Sequence, residues 1–241
     1  MKKNYSQLYQ YSTIASLFAG NYDGSITFKE LLKHGDFGLG TFDHLDGELI
    51  VLDGKAYQLK ADGSVHNVKP DWTSPFASLS FFKADKTFTL EKTVTLEELE
   101  AIISEHFPSK NIFYALKITG YFEEISTRTV AYQEKPYPTL INATKDQGVA
   151  KFEKLQGTLG GFWTPEFANT IGVHNYHLHF LDDSKTKGGH VFNFQLVNPT
   201  VEISYLTTTL LVLPNNEEYL TADLENENLQ AEIHASERHR G

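Results

Sequence analysis

The stretch HNYHLHFLDDSKTKGGHVFNF, residues 174–194, decides how the rest of the chain is read. Within it His177 and His179 lie two apart, and the large apolar residues Tyr176, Leu178 and Phe180 alternate with them. Successive strand side chains point to opposite faces, so this alternation predicts a β-strand with both imidazoles on one face and a core-facing set on the other. Residues 182–189 read as a polar turn, and His190 opens a second apolar run over residues 191–197. A returning strand there brings His190 beside the pair. Three convergent neutral imidazoles suit zinc or a similar divalent ion: they leave the ion its full charge and, with a carboxylate completing the set, keep positions open for water or substrate. Ten histidines in 241 residues give some close pairs by chance. The third histidine, directly after a Gly-Gly at the start of the returning strand, separates this cluster from coincidence. His174 precedes His177 by an odd spacing, which in a strand puts it on the opposite face, as a packing or supporting residue. His34, His44, His66 and His106 stand singly and are expected to be solvent-facing or structural.

The whole chain bounds the chemistry. Its 241 residues suffice for one large core or two modest domains. Phe (17) and Tyr (12) dominate the aromatic content, which favours sheets over helical bundles. A formal charge of −10 disfavours nucleic acid, whose phosphates need a basic footprint. It also means that an anionic substrate needs local positive charge from a metal or an arginine. The chain has no cysteine, so disulfides, thiolate nucleophiles, iron–sulfur clusters and Cys-type zinc sites are excluded, and a metal rests on His, Asp and Glu alone. No stretch approaches the roughly 20 apolar residues of a membrane span. The N-terminal residues lack the continuous apolar segment of a signal peptide, so a cytoplasmic protein is expected.

Along the chain, residues 8–18 read as a strand leading into a turn. Ser25 or Thr27 is placed to cap a short helix through Phe28, Leu31 and Leu32. Residues 38–43, 48–53 and 55–60 are short strand-like runs separated by Asp46-Gly47 and Asp53-Gly54, turn pairs that admit positive φ. Residues 77–82 and 87–90 extend the β pattern. The clearest helix follows: Thr95 with Glu98 forms a capping box, and Leu96, Leu99, Ile102, Ile103 and Phe107 share one face before Pro108. Strands are expected at residues 112–122 and 125–133. The two prolines of Lys135-Pro-Tyr-Pro138 prevent regular pairing and mark a boundary or crossover. Residues 149–163 read as extended, with Gly157, Gly160 and Gly161 marking a bend, a bulge or a close approach. Strands at 173–181, 190–197 and 201–213 complete the pattern, and the polar end from residue 215 is dispensable on composition alone. The expected architecture is therefore β-rich α/β (α+β), with mixed sheets and few helices, divided into an N-terminal mixed-sheet domain (residues 1–134) and a C-terminal β domain carrying the metal-binding hairpin (residues 135–241).

Two charged residues have no evident structural task. Glu48 follows a turn at the head of the apolar Leu49-Ile-Val-Leu52, and Arg128 sits among β-branched residues as though in a strand. From the pattern alone Glu48 reads first as an edge-strand charge and Arg128 as an exposed cross-strand partner.

With those residues in view, the chain resembles the α-acetolactate decarboxylases, whose signature is the His-Leu-His pair followed by Gly-Gly-His at this spacing. The likeness runs from about Leu8 to the C-terminal region, through Ser12-Thr-Ile14, Gly38-Leu-Gly-Thr-Phe42, Leu45-Asp-Gly-Glu-Leu49, Arg128-Thr-Val130, His177-Leu-His-Phe-Leu181 and Gly188-Gly-His190. It implies a zinc (Zn2+) lyase, commonly dimeric and built as a two-domain α/β protein, that decarboxylates 2-acetolactate, a small anionic 2-hydroxy-3-keto acid, to acetoin. It further implies His177, His179 and His190 as metal ligands, Glu48 as the N-terminal acidic residue of the site, Arg128 as the active-site arginine and Thr41 as a pocket residue. A glutamate of the C-terminal tail is implied at Glu237, with Glu232 close by, which makes the tail functional. From the residues alone, two other readings stand: a different metalloenzyme such as a cupin-like iron oxygenase, and a noncatalytic β-rich binding module with a structural metal.

Overall fold

Asp53 and Gly54 both take left-handed φ, 51° and 75°, the combination a two-residue loop needs to follow the twist of its flanking strands. They join Glu48–Leu52 to Lys55–Leu59 as the sequence predicts. In this computed structural model, which describes residues 3–225, the chain begins with β1 (Gln7–Tyr11), α1 (Ile14–Phe18), β2 (Ile26–Thr27), α2 (Phe28–Leu31), β3 (Phe37–Thr41), β4 (Glu48–Leu52) and β5 (Lys55–Leu59). It continues with β6 (Val65–Asn67), β7 (Thr73–Ser74), β8 (Ala77–Ser80), β9 (Lys86–Thr89), β10 (Thr93–Thr95), α3 (Leu96–Glu105) and β11 (Phe113–Thr129). The last elements are α4 (Leu140–Ala143), β12 (Gly148–Thr164), β13 (Asn175–Asp182), β14 (Gly188–Leu206), β15 (Thr208–Val212) and α5 (Glu217–Thr221).

Two large sheets result, and the β-rich class with few helices holds. The first has the order β15-β1-β8-β3-β4-β5-β6 and is mixed, because β1 and β15 run parallel while its other pairs are antiparallel. The second runs β10-β14-β11-β12-β13, with β9 also on β14. The sheets interleave along the chain: β9, β10 and β11, all before residue 134, belong to the second sheet, and β15 returns to the first. Residues 188–190 of β14 also pair with β13, so the second sheet curls until its edges meet. Tyr114, Leu116, Phe122, Leu159, Phe180 and Phe194 fill the core against α3, whose predicted capping box between Thr95 and Glu98 is present.

A second core lies between the sheets, where Phe37, Leu39, Ile50 and Leu52 of β3 and β4 meet Phe113, Ala115, Phe162 and Leu181. Period-two alternation puts Thr41 and Glu48 on that same inward face. Three local readings change. Ser12 takes a left-handed φ of 63°, ending β1, and Thr13 then accepts the Ser16 N–H, so residues 14–18 form a capped helix rather than more strand. Residues 113–129 form one long strand whose register shifts absorb the break expected near residue 123. Likewise β14 runs unbroken through Asn198-Pro199.

At Gly161 a Cβ would sit 1.9 Å from the His177 carbonyl oxygen of β13. Gly161→Ala therefore has to push β12 away from β13, the strand that carries the paired histidines. We expect it to lower stability by about 2 kcal/mol, the scale of overpacking in a tight interior; an unchanged melting temperature would contradict the close approach.

Candidate active site

The alternation read from the sequence operates in β13: Tyr176, Leu178 and Phe180 enter the curled sheet's core, leaving His177 and His179 on the face toward the first sheet. Cross-strand register supplies the rest. His190 lies directly opposite His179, and Arg128 of β11 lies directly opposite His190. Directly paired residues share a face, so β13, β14 and β11 present a row of two imidazoles and a guanidinium. One ligand nitrogen from each of His177, His179 and His190 lies within 4.8 Å of the others, and the Nε2 atoms of His177 and His179 are 3.2 Å apart.

His179 is fully buried, and its Nδ1 lies 2.7 Å from the carbonyl oxygen of Leu49 in β4. A carbonyl only accepts, so Nδ1–H donates and the lone pair on Nε2 faces the other histidines. Burial depresses the His179 pKa to about 4, with the Leu49 hydrogen bond acting against it, so the ring is neutral as a metal ligand must be. Glu48 Oε2 stands 3.6 Å from that Nε2. Burial pushes the Glu48 carboxyl up to about 8, opposed by the positive charge of Arg128, while burial lowers the Arg128 pKa against the pull of Glu48. Thr41 is buried opposite Glu48, and its Oγ1 donates to the Gly47 carbonyl oxygen at 2.7 Å, fixing the turn from which Glu48 projects.

These groups open onto a cavity of about 500 Å³ between the sheets. Thr41, Glu48, Arg128, His177 and His190 line it. Much of the remaining wall is apolar, from α1 (Ile14, Leu17, Phe18), Phe76, Val130 and the segment around α4. The sequence reading missed this wall, because α1 and α4 are short and their apolar residues carry no chemical signature. It also misplaced His174, which lines the cavity. The spacing rule fails there because β13 begins only at Asn175, whose φ of 59° breaks the alternation; an asparagine before the run, a residue that tolerates this conformation, was the available signal. Glu237 and Glu232 lie outside the described residues. Three imidazole nitrogens, one with its tautomer fixed by a carbonyl, beside a carboxylate form a donor set that fits a divalent metal ion.

A triple-histidine cluster with an adjoining carboxylate and arginine, set in a largely apolar cavity, is the arrangement of an enzyme acting on a small polar molecule. A sequence profile described as Alpha-acetolactate decarboxylase matches residues 8–226. The alpha-acetolactate decarboxylase of Bacillus licheniformis is 44% identical over 235 residues, covering 98% of this chain and 93% of that protein. That of Methanosarcina mazei is 42% identical, covering 96% and 80% respectively. The crystal structure of alpha-acetolactate decarboxylase from Bacillus subtilis strain 168 superposes with a TM-score of 0.93 at 44% identity, covering 96% of this chain and 99% of that one. The chain belongs to the alpha-acetolactate decarboxylase family.

The two shifted groups make the metal-free protein sensitive to pH. Unfolded, His179 titrates near 6.5 and Glu48 near 4.5; folded, they titrate near 4 and 8. The folded state thus binds fewer protons at His179 up to about 6.5, which raises stability with pH, and more at Glu48 up to about 8, which lowers it. Below about 6.5 the two oppose each other, and above it only Glu48 acts. With a chelator present we expect the melting temperature to fall as pH rises from about 6.5 through 8, and the Glu48→Gln variant to lose this decline. Parallel wild-type and variant curves would remove the carboxyl as its cause.

Proposed function

We propose that this chain converts 2-acetolactate to acetoin and carbon dioxide with zinc held by His177, His179 and His190. The observation that carries the reading is the convergence of the three imidazoles with Glu48 and Arg128 at the wall of one cavity, His179 buried behind His177 and His190, in a chain with the fold of this family. In this reaction the bond between the carboxylate carbon and C2 breaks, and its electron pair delocalises onto the neighbouring ketone oxygen as an enediolate; a proton then adds at C2. Zinc bound there supplies a Lewis acid that stabilises the negative charge developing on the substrate oxygens.

The protein's own groups divide the remaining work. Arg128 orients the carboxylate, whose planar shape matches a guanidinium. Because that group leaves as neutral carbon dioxide, too tight a grip would favour the ground state, so the arginine positions rather than clamps. Glu48 delivers the proton that adds to C2 from one side, which makes the acetoin chiral, and is reprotonated from solvent, so one proton is consumed for each carbon dioxide released while the substrate hydroxyl keeps its own. Its carboxylate lies 3.6 Å from His179 Nε2 on the cavity wall, within reach of what enters. Thr41 steadies the turn beneath Glu48. Glu237, on the family resemblance, is a further acidic group of the site. Ile14, Leu17 and Val130 form an apolar surface suited to the methyl groups of the substrate. In a chain of formal charge −10, Arg128 and the divalent ion provide the local positive charge that draws in an anion.

Carbon dioxide and acetoin should both be released from racemic acetolactate by purified protein, vanish on chelation and return with zinc. Glu48→Gln should keep the metal yet lose about 100-fold or more in turnover, and His179→Ala should lose metal and activity together. Fully metallated wild-type protein that releases neither product would overturn the proposed reaction, and a His179→Ala variant with full metal occupancy would overturn the ligand set.

A further inference from the structure

We propose that His174 is a substrate-binding residue whose Nε2–H donates to an oxygen of the anionic substrate, an inference that rests on the decarboxylase reading of the cavity. His174 lines the same cavity as Glu48, Arg128, His177 and His190. Its position follows from the backbone: Asn175 at φ 59° turns the chain just before β13, so the residue three before His177 shares its cavity instead of facing away.

The two ring nitrogens differ. Nδ1 is shielded from solvent and has no hydrogen-bond partner among the described residues. Nε2 is not shielded in this way, and no described residue bonds it, which leaves it as the nitrogen open to the cavity. A proton on Nδ1 would be an orphaned buried donor, costing roughly 1–3 kcal/mol, whereas on Nε2 it meets water or a ligand. Nε2 is therefore the nitrogen that presents a donor to the cavity. A 2-hydroxy-3-keto acid offers oxygen acceptors on carboxylate, ketone and hydroxyl, so a fixed N–H on the wall complements it. The neighbouring Val173, Ile14 and Leu17 are apolar, which strengthens a hydrogen bond made beside them. His177 and His190 are committed to the metal cluster, and the Thr41 hydroxyl to Gly47, so His174 adds a donor where these cannot.

The test compares His174→Leu, which removes the donor, with His174→Gln, which restores an N–H, in metallated protein. Two quantities are read: KM for acetolactate, and affinity for 2-hydroxy-2-methylpropanoate by calorimetry. That probe carries the hydroxyl and carboxylate but lacks the ketone, so it binds without losing carbon dioxide by this route. We expect His174→Leu to raise KM and weaken the probe about tenfold, the scale of one hydrogen bond. Turnover, bound metal and melting temperature should stay near wild type, and His174→Gln should recover most of the loss. Unchanged KM and probe affinity in His174→Leu would overturn the proposal. Equal loss in both variants, or loss of metal, would also overturn it, by showing a packing or metal-supporting role. If wild-type protein binds the probe through His174 but yields no acetoin, the reaction is misassigned and the binding residue stands.

Discussion

The hydrogen bond from His179 Nδ1 to the Leu49 carbonyl, 2.7 Å long and buried, is the constraint on which the site depends. It ties β13 of the second sheet to β4 of the first. By holding the ring proton on Nδ1, it aims the Nε2 lone pair at the cluster. Since Leu49 follows Glu48, one dipeptide of β4 supplies both the acceptor that fixes a ligand and the carboxylate beside it. A shift of the sheets would break the bond, leave a buried donor unmade and move Glu48 away from His179 in the same motion. The apolar contacts of Ile50 and Leu52 with the second sheet act on the same strand, so packing and coordination geometry reinforce each other.

Around that bond the electrostatics are set by dehydration more than by pairing. Burial holds His179 neutral and raises Glu48, with the positive charge of Arg128 acting against the rise. No ion pair within 4 Å joins Arg128 to a carboxylate among the described residues, so its charge remains available to an incoming anion. A tight Glu48–Arg128 bridge would have spent both charges on structure. Keeping them apart across a low-dielectric cavity leaves each to act on what enters.

The fold and site were legible where local rules apply. The His-Leu-His alternation, the Asp-Gly hairpin and the capping box of α3 all depend on neighbours within a few residues, and all appear as read. What the sequence could not display is long-range pairing. Arg128 looked like any strand arginine until β11 lay against β14, 62 residues away at the Arg128–His190 pair by subtraction of their numbers. Which sheet a strand joins is likewise decided by pairing across the chain. Residues 14–18 do not announce helix α1, because Ile14, Leu17 and Phe18 suit strand or helix alike and the Thr13 cap is its one local signal. His174 was misplaced by one backbone angle at Asn175.

The Gly-Gly before His190 marks the point where local motif and long-range pairing meet. A Cβ at Gly188 would lie 2.6 Å from the Phe180 carbonyl oxygen, and one at Gly189, where φ is 154°, would lie 2.7 Å from the Thr127 side chain. The first contact is with β13 and the second with β11, so the two glycines let β14 press against both neighbours at once. Only there does the curled sheet close, and only there can the next residue stand opposite His179 on one side and Arg128 on the other. Side chains at those two positions would hold the strands apart and separate the third imidazole from the other two. The motif is thus a statement about backbone approach as much as about ligands: the missing side chains of residues 188 and 189 are what bring three histidines from two strands, and an arginine from a third, into one site.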